Sequence, residues 1–117
     1  MIDEKAKQII ENNPVAVGTV RDDLPNVIAV AYVKVVGLDK IVITDNYMQH
    51  TKKNLEENPN VCLAVWDKDW RGYKIIGKAE YHASDKWFDF IKTMPENKDC
   101  PAKGAILIKV SNISELK

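Results

Sequence analysis

The sequence predicts a mainly β fold, a β-barrel with short helices. Six segments rich in β-branched and aliphatic residues recur at close spacing, over 15–21, 26–36, 41–45, 61–66, 72–82 and 105–110. Clusters of Asp, Gly, Asn and Pro separate them. Three helical stretches are inserted among the strands rather than following each one, which argues for a small barrel over a parallel sheet. With 117 residues the chain is read as one domain over its whole length.

The elements follow from local pattern. Residues 2–11 form a helix: Asp3 is an N-cap, Ile2, Ala6, Ile9 and Ile10 sit at helical spacing, and Asn12-Asn13-Pro14 ends it. Residues 15–21 are β-branched, and Asp22-Asp23-Leu24-Pro25 turns the chain into a long second strand over 26–36. Only Lys34 clearly interrupts that run, so both of its faces are expected to be covered. A turn at Gly37-Leu38-Asp39-Lys40 leads to the strand 41–45, a helix over 49–57 ended by Asn58-Pro59, and the strand 61–66. After a loop at 67–71 comes the strand 72–82, with Gly77 a candidate bulge or close backbone approach. Ser84 is expected to cap a helix in which Trp87, Ile91 and Met94 share a core-facing stripe beside Phe88 and Phe90. A loop over 95–103 precedes the last strand, 105–110.

Composition narrows the function classes. Lys+Arg and Asp+Glu are both 17, for a formal net charge of zero. That balance lacks the electrostatic footprint of a general nucleic-acid binder or a polybasic membrane-surface protein. Two cysteines and two distant histidines do not make a metal site. A Cys62–Cys100 disulfide is open, but a cytoplasmic, reducing setting is expected: no apolar leader core follows Met1 and no stretch approaches membrane-spanning length. Cys62, in an apolar strand pattern, reads as a small buried hydrophobe. Tyr32, Tyr73 and Tyr81 are ordinary strand aromatics, and His82 is a surface or helix-entry residue.

The helix at 49–57 carries its charges backwards. A helix N-terminus is partially positive and has unpaired N–H groups, so acidic residues are favoured there and basic ones at the far end. Here His50, Lys52 and Lys53 crowd the first turns while Glu56 and Glu57 occupy the last. Two accounts stand: an anion such as a phosphate at the N-terminus, held with the Thr51 hydroxyl, or a solvated surface helix with Lys52–Glu56 and Lys53–Glu57 pairs. The position directly after the strand 41–45 favours the phosphate.

The segment His50-Thr51-Lys52-Lys53-Asn54-Leu55-Glu56-Glu57-Asn58-Pro59-Asn60-Val61, the strand end Ile43-Thr44-Asp45 and the strand Gly72-Tyr73-Lys74-Ile75-Ile76-Gly77-Lys78-Ala79-Glu80 resemble the pyridoxamine 5′-phosphate oxidase-like FMN-binding split barrels. The resemblance spans nearly the whole chain. It implies a six-stranded split barrel of the FMN-binding type, a homodimer with FMN in clefts between the subunits, and an oxidoreductase or electron-transfer role without nucleic-acid or membrane partners. Carried over by position, backbone groups of Ile28, Ala29 and Val30 face the flavin ring. Ile43, Thr44 and Asp45 run past the ring and ribityl chain, and Gln49, His50 and Thr51 with Lys52 or Lys53 hold the phosphate. Trp66 and the stretch 70–73 close the cleft, with the partner subunit as one source of them.

The pattern also departs from the family. B6-phosphate oxidases carry an Arg on the second strand and an Arg-Lys pair at the phosphate helix, where this chain has Ile28 and His50-Thr51. No counterpart of their arginine- and histidine-bearing substrate stretch follows Val110. The expectation is therefore an FMN flavoprotein without the B6-substrate residues and with no catalytic side chain indicated. Two alternatives are kept: a reductase using the deazaflavin F420, and a non-catalytic dimeric module that has lost its cofactor. Trp66 has a plainer reading in core or dimer-interface packing.

Overall fold

The structure, a computed structural model, describes residues 1–46, 50–97 and 102–116, with the side chain of Glu96 left aside. Helix α1 (Glu4–Asn12) starts where Asp3 accepts a hydrogen bond from the Ala6 amide at 2.8 Å, as an N-cap should. Its apolar stripe, Ala6, Ile9 and Ile10, is buried. Strands β1 (Val15–Arg21) and β2 (Leu24–Val30) form a hairpin in which Arg21 pairs with Leu24. Both loop residues, Asp22 and Asp23, have positive φ (52° and 63°), the left-handed pair that a two-residue turn of this hand requires. Pro25, assigned to the turn by sequence, lies inside β2, where an edge strand tolerates its missing N–H.

The strand expected over 26–36 is two strands. β2 pairs with β1, whereas β3 (Val33–Val36) pairs with β4 (Lys40–Asp45). Ala31 and Tyr32 carry the chain from one sheet edge to the other, and the Tyr32 carbonyl accepts from the Thr44 amide at 3.3 Å. The sheet therefore has seven strands instead of six, in the order β2-β1-β5-β6-β7-β4-β3, with every neighbouring pair antiparallel. β5 spans Asn60–Trp66, β6 Gly72–His82 and β7 Gly104–Glu115. β7 outruns the expected 105–110 because its distal residues continue to pair with β6 as far as Tyr73↔Glu115. The β6–β7 register shifts between Ile76 and Gly77, as the glycine suggested, and a Cβ at Gly77 would sit 2.6 Å from the Lys109 carbonyl oxygen.

Val15, Val17, Ile41, Ile43, Leu63, Val65, Ile75, Ile106 and Ile108 fill the interior, joined by Ile10 from α1 and Leu55 from α2 (Thr51–Glu57). A second cluster lies on the opposite face of β4 and β7, where Val42, Ala105 and Leu107 meet Ile91 and Met94. Its cover is α3 (Lys86–Lys92), flanked by Trp87, Phe88 and Phe90, so the expected apolar stripe does face a core. The cap of α3 is Asp85, not Ser84: its Oδ1 accepts from the amides of Trp87 at 3.0 Å and Phe88 at 3.5 Å.

Two burial expectations fail for one reason. Strand side chains alternate between faces, and in β2 only Ile28 and Val30 turn to the core, while Val27 is 70% exposed. In β5, Leu63 and Val65 turn inward, leaving Cys62 exposed on the outer face. Cys100, its suggested disulfide partner, lies outside the described residues.

Candidate functional site

Polar groups converge where β4 ends. Thr44 and Asp45 are 5% and 1% exposed. Tyr81 of β6 donates its hydroxyl to Asp45 Oδ2 at 2.5 Å, crossing the intervening strand β7. That reach is open only because Asp45 pairs with Gly104, where a Cβ would lie 2.5 Å from the tyrosine Cζ and hydroxyl oxygen. Burial first, then the hydrogen bond and charge of Asp45, push the Tyr81 hydroxyl well above the ordinary tyrosine range. The Thr44 hydroxyl accepts from Asn97 Nδ2 at 2.8 Å, and the same amide group donates to the Ile91 carbonyl at 2.8 Å, tying the strand end to α3. Among the described residues the buried side-chain oxygens of Asn46 and Asn97 have no hydrogen-bond partner.

Helix α2 follows. His50 occupies its N-cap, exposed and making no side-chain cap, and the first turn holds no acidic residue. The first helical bond is from the Asn54 amide to the His50 carbonyl at 3.0 Å, so the amides of Thr51, Lys52 and Lys53 precede any intrahelical acceptor. Thr51, Asn54 and Leu55 are buried, and Asn54 Nδ2 donates to Thr19 Oγ1 at 3.3 Å, fixing the helix to β1. Lys52 and Lys53 stay exposed, with the Lys52 ammonium 5.3 Å above the Tyr81 ring. Of the expected ion pairs, Lys52–Glu56 is present at 4.0 Å. Glu57 is instead held by Arg21 at 2.9 Å, a tertiary contact invisible to helix spacing.

The fold thus brings Asp45 and Lys52 to Tyr81, with Ile43 in the core, while Thr44 faces the other side of β4 toward Asn97 and Thr51 is buried at the start of α2. Exposed His50 and Lys53 flank the helix start, and Gln49 lies outside the described residues. Ile28 and Val30 face the interior from β2, while Ala29 faces outward. Trp66 does not join this group within one chain. It pairs with Gly72, at the end of β6 remote from Tyr81, and nine strand steps of about 3.3 Å separate those ends by roughly 30 Å. There Trp66 lies parallel to Trp70, with centroids 6.2 Å apart and planes at 5°.

Nothing in the sequence marks Asn97 or Gly104, and Tyr81 reads there as an ordinary strand aromatic. The alternation of β6 runs unbroken through Gly77 and turns Tyr81 to the same side as Tyr73, Ile75 and Ala79, the extra residue of the bulge being Ser111 on β7; nothing local couples Tyr81 to Asp45, 36 residues away. His82 is at the helix entry as expected: Nδ1 contacts Asp85, and Nε2 lies 3.2 Å from Glu80 Oε1. Hydrogen bonds from Lys109 and His82 hold the Glu80 carboxyl below its ordinary range. At Asp85 desolvation acts upward, but His82 and the helix amides outweigh it and hold that carboxyl low. Among the described residues no trio of His, Cys, Asp or Glu is grouped for a metal ion, and no helix is long and apolar enough to cross a membrane.

Known proteins share this fold. An uncharacterised protein of Methanocaldococcus jannaschii is 33% identical over 119 aligned residues, spanning 97% of this chain and 80% of that one. The crystal structure of HupZ from Group A Streptococcus superposes with a TM-score of 0.90 at 24% identity, covering 99% of this chain and 94% of the other. An FMN-binding protein from Syntrophomonas wolfei superposes at 0.82 with 21% identity, covering 97% and 85%. At such identities the two structures speak for the fold alone. The sequence itself matches the pyridoxamine 5′-phosphate oxidase family over residues 2–117, and the chain belongs to that family.

Proposed function

We propose that this chain is an FMN-binding flavoprotein working as a homodimer in oxidoreduction or electron transfer. The observation that carries the reading is the start of α2: uncapped, free of acidic residues, flanked by His50, Lys52 and Lys53, and set against the buried end of β4. Three amides without intrahelical acceptors and a cluster of cationic side chains suit a phosphate monoester. The Asn46 side-chain oxygen, buried and without a partner among the described residues, is an acceptor open to a ligand donor. The residues present therefore fit the phosphate and polar groups of FMN.

In this reading Thr51 and Lys52 bind the phosphate, with His50 and Lys53 adding charge. Lys52 is oriented by the Tyr81 ring, and Tyr81 is fixed in turn by Asp45. The backbone of Thr44 and Asp45 lines the ring and ribityl chain, and β2 supplies backbone from Ile28, Ala29 and Val30. Bound FMN supplies hydride and single-electron chemistry. Ile28 replaces the family's second-strand arginine and His50-Thr51 its cation pair, so the substrate is taken to be something other than the B6 phosphate. The outer face of β2 and β1, with Val27 70% and Val20 38% exposed, is the surface on which a second copy packs.

Absorbance of the purified protein, before and after incubation with FMN and removal of the excess, tests this reading. Stoichiometric flavin bands are expected, and replacing both Thr51 and Lys52 by Ala should weaken FMN binding at least tenfold, about 1.4 kcal/mol. Retention of F420 in place of FMN, or of neither, would reject it in favour of the deazaflavin or non-catalytic alternative.

A further inference from the structure

The end of the barrel away from Tyr81 holds a cavity of about 160 Å³ between α1, the β5–β6 loop and the end of β7. Tyr73 and Glu115 pair directly across β6 and β7, so their side chains leave the sheet on one face. Lys5 and Ile9 are one turn apart on α1 and share a helix face, with Ile9 buried and Lys5 exposed at the rim. Trp70 forms another wall. Its φ of +64° lies in the left-handed region that bulky residues avoid. Asp67 maintains it: the Asp67 carbonyl accepts from the Trp70 amide at 3.0 Å, and its carboxylate accepts from the amides of Asp69 and Arg71 at 2.9 and 3.0 Å.

Three polar groups of this cavity have no partner among the described residues. Tyr73 is 8% exposed, yet its hydroxyl makes no hydrogen bond to any of them. Burial first, then the carboxylates of Asp3 and Glu115, hold that hydroxyl above the ordinary tyrosine range, so it remains a donor at neutral pH. Lys5 and Glu115 form no ion pair there, with each other or with any other described residue. Arg71 differs, because Asp67 already holds its guanidinium at 3.1 Å. A buried hydroxyl left unpaired is uncommon in a folded chain. Two opposite charges that line one cavity without meeting suit a molecule that carries a cation for Glu115 and an anion for Lys5. Its body must be apolar to lie against Ile9 and the Trp70 indole, and small, since an apolar cavity of about 150 Å³ holds a molecule the size of benzene.

We propose that this cavity binds a free aliphatic amino acid of about leucine's size, with its ammonium at Glu115, its carboxylate at Lys5 and the Tyr73 hydroxyl, and its side chain against Ile9 and Trp70. Every lining residue comes from one chain, and eight strand steps of about 3.3 Å put Tyr73 more than 20 Å along β6 from Tyr81. The inference therefore stands apart from the flavoprotein reading, and a protein that retains no FMN leaves it intact.

Titration calorimetry and thermal melting of the purified protein with L-leucine, without and with added FMN, test it. Saturable binding and a higher melting temperature are expected in both conditions. Leucine should be preferred at least about tenfold over 4-methylpentanoate, which lacks the ammonium, and over 3-methylbutylamine, which lacks the carboxylate. Lys5→Gln and Glu115→Gln, both at exposed positions, should leave the ligand-free melting temperature unchanged and weaken leucine binding about tenfold each. Glu115→Gln should also erase the preference over 4-methylpentanoate, which a general loosening of the site would not do. Tyr73→Phe keeps the buried ring and should weaken leucine binding about fivefold. The proposal is overturned by no shift in melting at about 10 mM leucine, enough to fill even a millimolar site. Equal binding of the three probes, a preference that survives Glu115→Gln, or binding only to the FMN-loaded protein would overturn it as well.

Discussion

Tyr81→Phe removes one oxygen and isolates the contact on which the strand end is organised. Asp45 is 1% exposed, and the lost hydroxyl donates to its Oδ2 at 2.5 Å. A hydrogen bond to a carboxylate contributes about 1.5–3 kcal/mol. Unfolding entropy of about 2.1 cal/mol/K per residue corresponds, for a chain of 117 residues, to about 0.25 kcal/mol per degree. The variant's apo form should therefore melt roughly 6–12 °C lower at neutral pH and equal protein concentration. The pH dependence supplies a second reading. Folded Tyr81 keeps its proton to a higher pH than the unfolded side chain, whose pKa is about 10. Its contribution is full below that value and declines as pH rises above it, by at most about 1.4 kcal/mol per pH unit. The wild-type advantage over Tyr81→Phe should consequently shrink in denaturant titrations above about pH 10. A variant as stable as wild type at pH 7, or an advantage that stays flat through that alkaline range, would refute the role given to this hydrogen bond.

Gly104→Ala places a methyl group where the Tyr81 ring lies, 2.5 Å from it, and should cost about 1–3 kcal/mol in urea unfolding. Adding Tyr81→Ala should remove most of that increment, since the two residues share one space. Asp85→Ala strips α3 of its cap and His82 of a carboxylate, and should lower the urea midpoint by the same assay. Because the Asp85 carboxyl is held below its ordinary range, its contribution is present above the unfolded pKa and lost as pH falls through the folded one. The acid limb of the stability profile, below about pH 4, should accordingly be shallower in the variant.

Much of the local structure was legible in the sequence. Asp3 announced the first helix, the Asp22-Asp23 pair the first hairpin, Gly77 the bulge and Asn58-Pro59 the end of α2. These are short-range effects of capping, turn geometry and steric freedom, and they act within a few residues. The reversed charge order of α2 is written there too, in His50, Lys52 and Lys53 ahead of Glu56 and Glu57. What holds that helix was not: Arg21 meets Glu57 and Asn54 meets Thr19, across separations of 36 and 35 residues.

The division is clearest in two apolar runs that look alike on paper. In β4 the side chains alternate between the barrel interior and the cluster under α3, so Ile41, Val42 and Ile43 are all at 0% exposure. The run over 26–36 breaks at Ala31-Tyr32, and its first half covers the core with Ile28 and Val30 while Val27 stays open to solvent. Residue order established that each run forms strands and which side chains share a face, because that follows from a two-residue backbone repeat. Whether a face is then covered by a helix, or left for another molecule, depends on contacts between distant segments. So does the meeting of Tyr81 with Asp45 across Gly104, and so does the distance between Trp66 and Thr51.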